Sequence, residues 1–599
     1  MLVGNGVVIV LGTTVAPSIS RLARSLNRVS SKLKAIFVVD KQKYKGVPSN
    51  PMRQSGLGVP RMTDEAMHVC LYLDRSRTFR WHLWLTEALV AIPNLHVTMA
   101  FSPEKRPLPR SCTVIFETER FVYRLKRTNA IDPVDAPQIE RLTAASAGPF
   151  DLVIDFAADE SVLPACKRVL TPCFNSIPGE IGAIAGLVSE PPLLMDLHDS
   201  ARPAAPWSAR PATDHVFVRS LDNTLSCAVG LIVKAATTPV ATSARSFYAR
   251  SKSSPLPRVM WSAALQTTGT IADKVAKYIK NLVAGDRGWS VAWRFDPSYT
   301  LLDRRSATFS VLADDEKRYY ADPFPFRYNG QDFVFVEEFS YASGRGCISV
   351  ALIKDSVAST PFPVLEEPHH LSYPFIFTHA NQVWMIPESG EARGVYLYRA
   401  EQFPYRWKRE ACLINRIEAY DATLLRHAGR FWLFVCERIC NSSSWDILSL
   451  FHTDNVTGPW LPAHNPVLVD AMMSRPAGAI IQRHGHKIRP TQDCSREYGG
   501  AVPLYRVDKL EPDEFSQVLI GTIHCGSRGC HTYNNYSGLE VIDVFGRKSG
   551  SEVHAFFDPL IEQMPTQTGQ GSGSSPKDPS ALPSKRRYWK EKSLGAGNH

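Results

Sequence analysis

The chain has 599 residues, 44% of them hydrophobic and 21% charged, and a formal net charge of +10. That length exceeds a single hydrophobic core and implies about three or four domains. Part of the positive charge sits in tail segments such as SKRRYWKEK at 584–592, so no nucleic-acid footprint is indicated, and the lack of a run of about 18 uncharged apolar residues argues against a membrane-spanning helix.

Residues 1–20 are uncharged and hold an apolar run, but no basic segment precedes it, so the match to a secretory signal is weak. Residues 21–61 are basic, Ser-rich and unpatterned. We read 1–61 as an extension, with Met62 and Met67 as alternative starts. Residues 62–250 alternate between strand and helix patterns. HVCLYL (68–73), NLHVTMAF (94–101), DLVIDFA (151–157), PPLLMDLH (191–198) and HVFVRSL (215–221) predict strands. RTFRWHLWLTEALVAI (77–92), the RFVYRLKR region and LSCAVGLIVKAATTP predict helices. Such alternation predicts a mainly parallel, doubly wound α/β sheet. Residues 251–285, with IADKVAKYIKNLVAG at helical spacing, predict a helical connector. A Gly/Ser/Pro-rich tail, assigned to 547–599, lacks the apolar content to order itself.

Between these lies a repeat: an apolar strand, a one-residue turn, an aromatic strand, then often a carboxylate. Its copies begin at Ala321, Tyr373, Asp421 and Arg475, with a fainter fifth at His531. The phase markers Asp322, Tyr373, Asp421, Arg475 and His531 are separated by 51, 48, 54 and 56 residues. A period near 50 built of short strands predicts a β-propeller over residues 286–546, here five-bladed. Propellers gather the starts of their inner strands around one axis, so these markers are expected to converge on one site.

The residue types at that site suit sugar chemistry. Glycosidic cleavage needs two carboxyls flanking the bond, one of them kept protonated by its surroundings. Asp322, Glu388 and Asp421 are the candidate catalytic carboxyls, each in or beside an apolar strand. His370, Tyr373, Arg475, Arg489, Gln492, Asp493 and His531 are candidate substrate-binding residues. Arg475 and Arg489 can grip an anionic group bidentately, and Tyr319, Tyr320, Trp384, Trp432 and Tyr498 offer faces for stacking. Each has a structural alternative. Asp322 and Asp421 could accept backbone N–H bonds in a turn, Asp493 could pair with Arg489, and mid-strand aromatics could be core. Glu337 and Glu338 end one strand, and alternation allows at most one of them to face the site. No metal or cofactor is expected. The twelve cysteines show no CxxC pair, and Cys525 and Cys530 read as a loop disulfide, a metal pair or two plain thiols. This usage fits a reducing, cytoplasmic compartment.

The strings RYYADPF, PHHLSYPF, WMIPES, YDATLL, SRPAGA, IRPTQDCSREYGG and HTYN occur in order over about 285–545. They resemble the glycosidase-like domain found N-terminal in glucosamine inositolphosphorylceramide transferases and in bacterial relatives. More distantly the arrangement resembles five-bladed furanosidases and xylosidases, which use an Asp base, an Asp modulator and a Glu acid. That resemblance maps the base to Asp322 and a later Asp to Asp421. Glu388 then precedes Asp421, out of the glycosidase order. Residues 70–240, through DLVIDFAADE and LTPCFNSIPGEIGAIAGL, resemble the formyltransferase fold. Asn175 matches its Asn, but Ile177 stands in place of the catalytic His, so this site is silent. Three readings follow. The chain acts on a glycan or glycolipid headgroup, or binds one without turnover, or is a sugar N-formyltransferase with an accessory β-domain. Oligomeric state is not legible.

Overall fold

The computed structural model describes residues 66–126, 128–143, 148–157, 163–188, 193–202, 207–214, 216–239, 288–526, 529–546 and 551–560. The extension over 1–61, the connector over 251–285 and the Gly/Ser-rich tail from 561 onward lie outside them.

In the first part, strands β1 (Met67–Leu73), β2 (Leu95–Phe101), β3 (Phe150–Asp155), β4 (Cys166–Phe174), β5 (Ile177–Pro178), β6 (Met195–Asp199) and β7 (Trp207–Ala209) make one sheet. Its order is β2-β1-β3-β4-β6-β7, with β5 paired to β4. The β2-β1-β3-β4 half is parallel and the β4-β6-β7 edge antiparallel, so the expected parallel sheet holds for four strands only. Helices Arg80–Val90 and Gly179–Val188 cover it, their faces joining the core of Leu71, Trp81, Leu85, Ile154 and Ile184.

The expected strand at 215–221 is instead the start of helix Phe217–Thr237. Its apolar opening mimics a strand because the helix is buried almost all round. Its first amides are capped from a distance: the Glu119 carboxylate accepts from the Phe217 and Val218 N–H groups at 3.0 and 2.8 Å. The same core extends to Ile439, Ile447 and Val469 of the later strands.

Strand-rich structure follows. It opens with β8 (Trp289–Phe295) and β9 (Ser306–Val311). A first antiparallel sheet holds β10 (Arg318–Tyr328), β11 (Gln331–Ser340), β12 (Arg345–Lys354), β13 (Val357–Ala358) and β14 (Phe362–Leu365). A second holds β15 (Ser372–His379), β16 (Gln382–Glu388), β17 (Gly394–Gln402) and β18 (Arg406–Asn415). A third holds β19 (Ala419–His427), β20 (Arg430–Glu437), β21 (Ile447–Thr453), β22 (Leu461–Pro462) and β23 (Leu468–Val469). The remaining strands are β24 (Ile481–Arg483), β25 (His486–Pro490), β26 (Val502–Leu510), β27 (Phe515–Cys525), β28 (Tyr533–Tyr536), β29 (Leu539–Phe545) and β30 (Glu552–Pro559). They join β8 and β9 in a nine-stranded sheet ordered β24-β25-β26-β27-β30-β9-β8-β29-β28. Residues 552–559 were assigned to the tail; they form β30, an alternating strand that buries Val553 and Ala555 and pairs with β27 and β9.

Five equivalent hairpins carry the repeat, and their turns have two residues rather than one. Asn329-Gly330, Ala380-Asn381, Ala428-Gly429, His484-Gly485 and Ser537-Gly538 all have positive φ at both positions. This is the primed turn whose twist suits tight hairpins. A second recurrent device lies at the start of the first strand of three hairpins. Asp322, Tyr373 and Asp421 have φ of 49°, 43° and 51°, each within a register shift against the next strand. A left-handed residue in a bulge re-aims one side chain, at a cost of about 1–3 kcal/mol of backbone strain. In the fourth repeat, Gly478 takes φ 133°, and a methyl group there would stand 2.3 Å from the Tyr533 carbonyl oxygen. Gly478→Ala is therefore expected to destabilise the protein by about 2–4 kcal/mol in denaturant unfolding; an unchanged midpoint would contradict this close approach.

Candidate functional site

The bulged residues bring carboxyl groups from distant segments together. Around Asp421, Arg475 donates from Nε to Oδ2 and from Nη2 to Oδ1, a bidentate clamp, while Gln492 Nε2 donates to Oδ2 at 2.7 Å. The same guanidinium reaches Glu388 Oε2 at 3.3 Å and the Ser444 carbonyl and hydroxyl oxygens at 3.3 and 3.2 Å. Burial, and then the adjacent Asp421, push the Glu388 carboxyl well above the usual carboxylate range, against the pull of Arg475. Burial opposes the charge of Arg475, but Asp421, Tyr498 and Glu388 outweigh it and hold the guanidinium protonated. Glu388 keeps 8% exposure and Asp421 none, so Glu388 is the more accessible carboxyl of the pair.

A second cluster surrounds Asp322. The His531 ring bridges two carboxylates, Nε2 at 3.1 Å from Asp322 and Nδ1 at 3.0 Å from Asp543. Thr532 Oγ1 donates to Asp322 Oδ1 at 2.9 Å, and the His531 and Thr532 N–H groups donate to Asp543 at 2.8 and 2.9 Å. Burial disfavours the imidazolium, yet Asp543 and Asp322 reverse that effect and lift its pKa to about 10. Ligand atoms of Asp322, His531 and Asp543 lie within 4.8 Å of one another, a spacing that could hold a cation. Here, however, the protonated ring already supplies the positive charge between the carboxylates.

Glu337 links the clusters. Its carboxyl is raised well above the ordinary range by burial and by the charge of Asp322, with Asp421 and Asp543 adding to the effect. The Tyr319 hydroxyl and His370 Nε2 stand 3.5 and 3.4 Å from it. His370 Nδ1 accepts from the Gly346 N–H at 2.9 Å, which leaves its proton on Nε2, toward Glu337. Glu338, the other member of the pair, is turned to Arg318 and Ser349.

Aromatic groups complete the surroundings. Trp289 lies 4.1 Å from His531, Tyr498 lies 5.1 Å from His531, and the Arg475 guanidinium sits over the Tyr498 and Tyr420 rings at 5.2 and 5.6 Å.

Asp322, Glu388, Asp421, Arg475, Gln492, His531 and His370 are thus assembled, and three expected binding residues have other employment. Tyr373 is fully buried; its hydroxyl accepts from the Gly478 N–H and bonds Thr423 Oγ1, both at 2.8 Å, tying three repeats together. Tyr373→Phe is expected to cost about 1–2 kcal/mol by leaving that amide without an acceptor. A stability equal to wild type in chemical unfolding would refute this role. Arg489 donates to the Met473 and Ser474 carbonyls and to Gln517, and burial without a carboxylate partner lowers its pKa to about 10. It braces the residues preceding Arg475. Asp493 closes its own turn on Ser495 instead of meeting Arg489. Tyr320, Trp384 and Trp432 are core residues. Cys525 and Cys530 form no disulfide; the Cys525 thiol donates to the Gly529 carbonyl oxygen at 3.2 Å.

Asp543 and Trp289 were not anticipated as site residues, and Glu337 was left unresolved against Glu338. A positional signal exists for one of them. Glu337, Glu388 and Gln492 each stand seven residues after the second turn residue of their hairpin. In the α/β part, Asn175 exchanges backbone and side-chain hydrogen bonds with Leu194.

Residues 306–551 match the family described as "Glucosamine inositolphosphorylceramide transferase 1, N-terminal". Glucosamine inositolphosphorylceramide transferase 1 of Oryza sativa subsp. japonica is 31% identical over 223 residues, 36% of this chain and 30% of that protein. The protein of the same name from Arabidopsis thaliana is 27% identical over 223 residues, covering 29% of its length. The chain therefore spans about 30% of the curated relatives it matches. Among solved structures it is similar to Zg3597, a family 117 glycoside hydrolase of Zobellia galactanivorans. The TM-score is 0.29 at 11% identity, over 45% of this chain and 96% of that one. It is also similar to the catalytic domain of a Coprinopsis cinerea GH62 alpha-L-arabinofuranosidase, with TM-score 0.32 and 9% identity over 41% and 93% of the two chains.

Proposed function

We propose that residues 289–559 form a five-bladed β-propeller whose axial site binds a polar glycan or glycolipid headgroup and cleaves or transfers a glycosyl unit. The observation that carries this reading is the pairing of opposites in one site. Glu388 and Glu337 are pushed toward the protonated form, while Asp322 and Asp421 accept from His531 and from Arg475 with Gln492. Separately tuned carboxyls are what acid and base roles require. In this reading Glu388 protonates the leaving oxygen. Asp421 and Arg475 set the charge of Glu388, and Asp322, held by His531 and Thr532, is the base or nucleophile. The matched relatives are named as glucosamine inositolphosphorylceramide transferases, which supports a charged or amino-bearing headgroup as the ligand class. Residues 62–250 are read as a formyltransferase-like domain without its catalytic His.

The complete engagement of Asp421 by Arg475 and Gln492 favours a second reading, binding without turnover. One experiment separates the two: glycans and glycolipid headgroups are screened for binding and turnover with wild type and Asp322→Asn. Turnover lost by about 10²–10⁴-fold with binding retained supports catalysis. Equal turnover by the two proteins would sink the catalytic assignment, and binding without turnover in both would establish the second reading.

A further inference from the structure

A cavity of about 350 Å³ lies between the α/β part and the third strand repeat, and none of the carboxyl-site residues lines it. Leu194, Leu231 and Met473 give it an apolar wall, and Lys234, Arg210 and Asp470 bring charge to it. Cavities of this size, mostly apolar with a few convergent polar groups, are the usual form of small-molecule sites.

The charges do not balance. Arg210 Nε donates to Asp470 Oδ2 at 3.0 Å, which pairs those two. Lys234 Nζ donates to the Val467 carbonyl oxygen at 3.0 Å, and among the described residues no carboxylate forms a salt bridge with it. An ammonium has three N–H donors. Among the described residues a single carbonyl accepts from it, which leaves two of the donors and the positive charge unmatched by them. Burial alone pushes the Lys234 ammonium down to about 8, so the group is held in a place that disfavours its charge. His464 is itself pushed down to about 4, by burial first and then by the charge of Lys234, and adds no carboxylate. A partly buried ammonium lining a mostly apolar cavity is stabilised by an anion.

We propose that this cavity is a binding site for a small amphiphilic anion, its carboxylate or phosphate beside Lys234 and Arg210 and its apolar remainder against Leu194, Leu231 and Met473. The anion completes the three donors of Lys234 and the two outer nitrogens of Arg210, and the wall accommodates a short hydrocarbon.

The test uses the full chain in titration calorimetry with four probes of equal tail: octanoate, octyl phosphate, octanol and octylammonium. At least one anion is expected to bind tenfold or more tightly than octanol and octylammonium, and the preferred anion tells a carboxylate site from a phosphate site. Lys234→Met, which keeps the aliphatic stem, is expected to abolish that preference while leaving the thermal midpoint unchanged or raised. Ser208→Trp at the cavity rim is expected to weaken binding of the anion without removing any charge, and it keeps the proposal testable if Lys234→Met fails to fold. Equal affinity for the anions and octanol, or anion affinity unchanged in both variants, would overturn the proposal.

Discussion

Arg475→Met is expected to destabilise the protein by about 3–5 kcal/mol, the usual consequence of removing one partner of a buried ion pair. The guanidinium touches both Asp421 and Glu388. Without it two buried carboxyls face each other with no cation between them, although Gln492 still donates to Asp421. The measure is guanidinium unfolding followed by tryptophan fluorescence at neutral pH. A second substitution, Asp421→Leu in the Arg475→Met background, is expected to recover much of the loss, because an apolar pair can replace a buried ion pair at little cost. A single variant within about 0.5 kcal/mol of wild type would show that Arg475 is not the counter-charge of this cluster, and the acid assignment of Glu388 would fall with it.

His531→Leu is expected to have an effect of similar size but with a distinctive pH dependence. The ring bridges Asp322 and Asp543 as an imidazolium, with its pKa raised from an ordinary 6.5 to about 10. A group that holds its proton more tightly in the folded than in the unfolded chain stabilises the fold when protonated. Its contribution is full below about pH 6.5 and is lost as pH rises through about 10. Wild type should therefore exceed His531→Leu by roughly 3–5 kcal/mol near pH 6, and the two stability curves should converge toward pH 10. Parallel curves over that window would mean that the ring is neutral in the fold. In that case the two carboxylates must be balanced in some other way.

Much of the strand-rich half was legible because its period is written in local chemistry. Hairpin turns such as Asn329-Gly330 and Ala428-Gly429 are short-range signals, and the residues before them alternate as strands do. Asp322, Asp421, Arg475 and His531 could be placed together because they occupy comparable phases of that period. What stayed hidden depends on partners from other repeats. Nothing near Tyr373 announces that its hydroxyl serves the Gly478 amide 105 residues later. Nothing near Arg489 announces that it is spent on the Met473 and Ser474 carbonyls. The helix at Phe217–Thr237 was misjudged at its start for the same reason, since its cap is Glu119, about a hundred residues upstream. Strand β30 was missed because only Val553 and Ala555 give it a buried apolar pattern and the sequence just before it, GRKSGS, is polar and glycine-containing.

The nine-stranded sheet has a consequence for how the molecule is made. It takes β8 and β9 from the beginning of the strand-rich segment and β27 to β30 from its end. Asp322 comes from an early strand, whereas its partners His531, Thr532 and Asp543 arrive more than 200 residues later. At roughly 5–20 residues per second of synthesis, Asp322 waits about 10–40 seconds for them. During that interval β8 exposes the edge that β29 will cover and β9 the edge that β30 will cover. The carboxyl cluster is then among the last parts to assemble on the ribosome, and a chain interrupted before residue 543 carries most of its strands but lacks Asp543, the second carboxylate on the His531 ring.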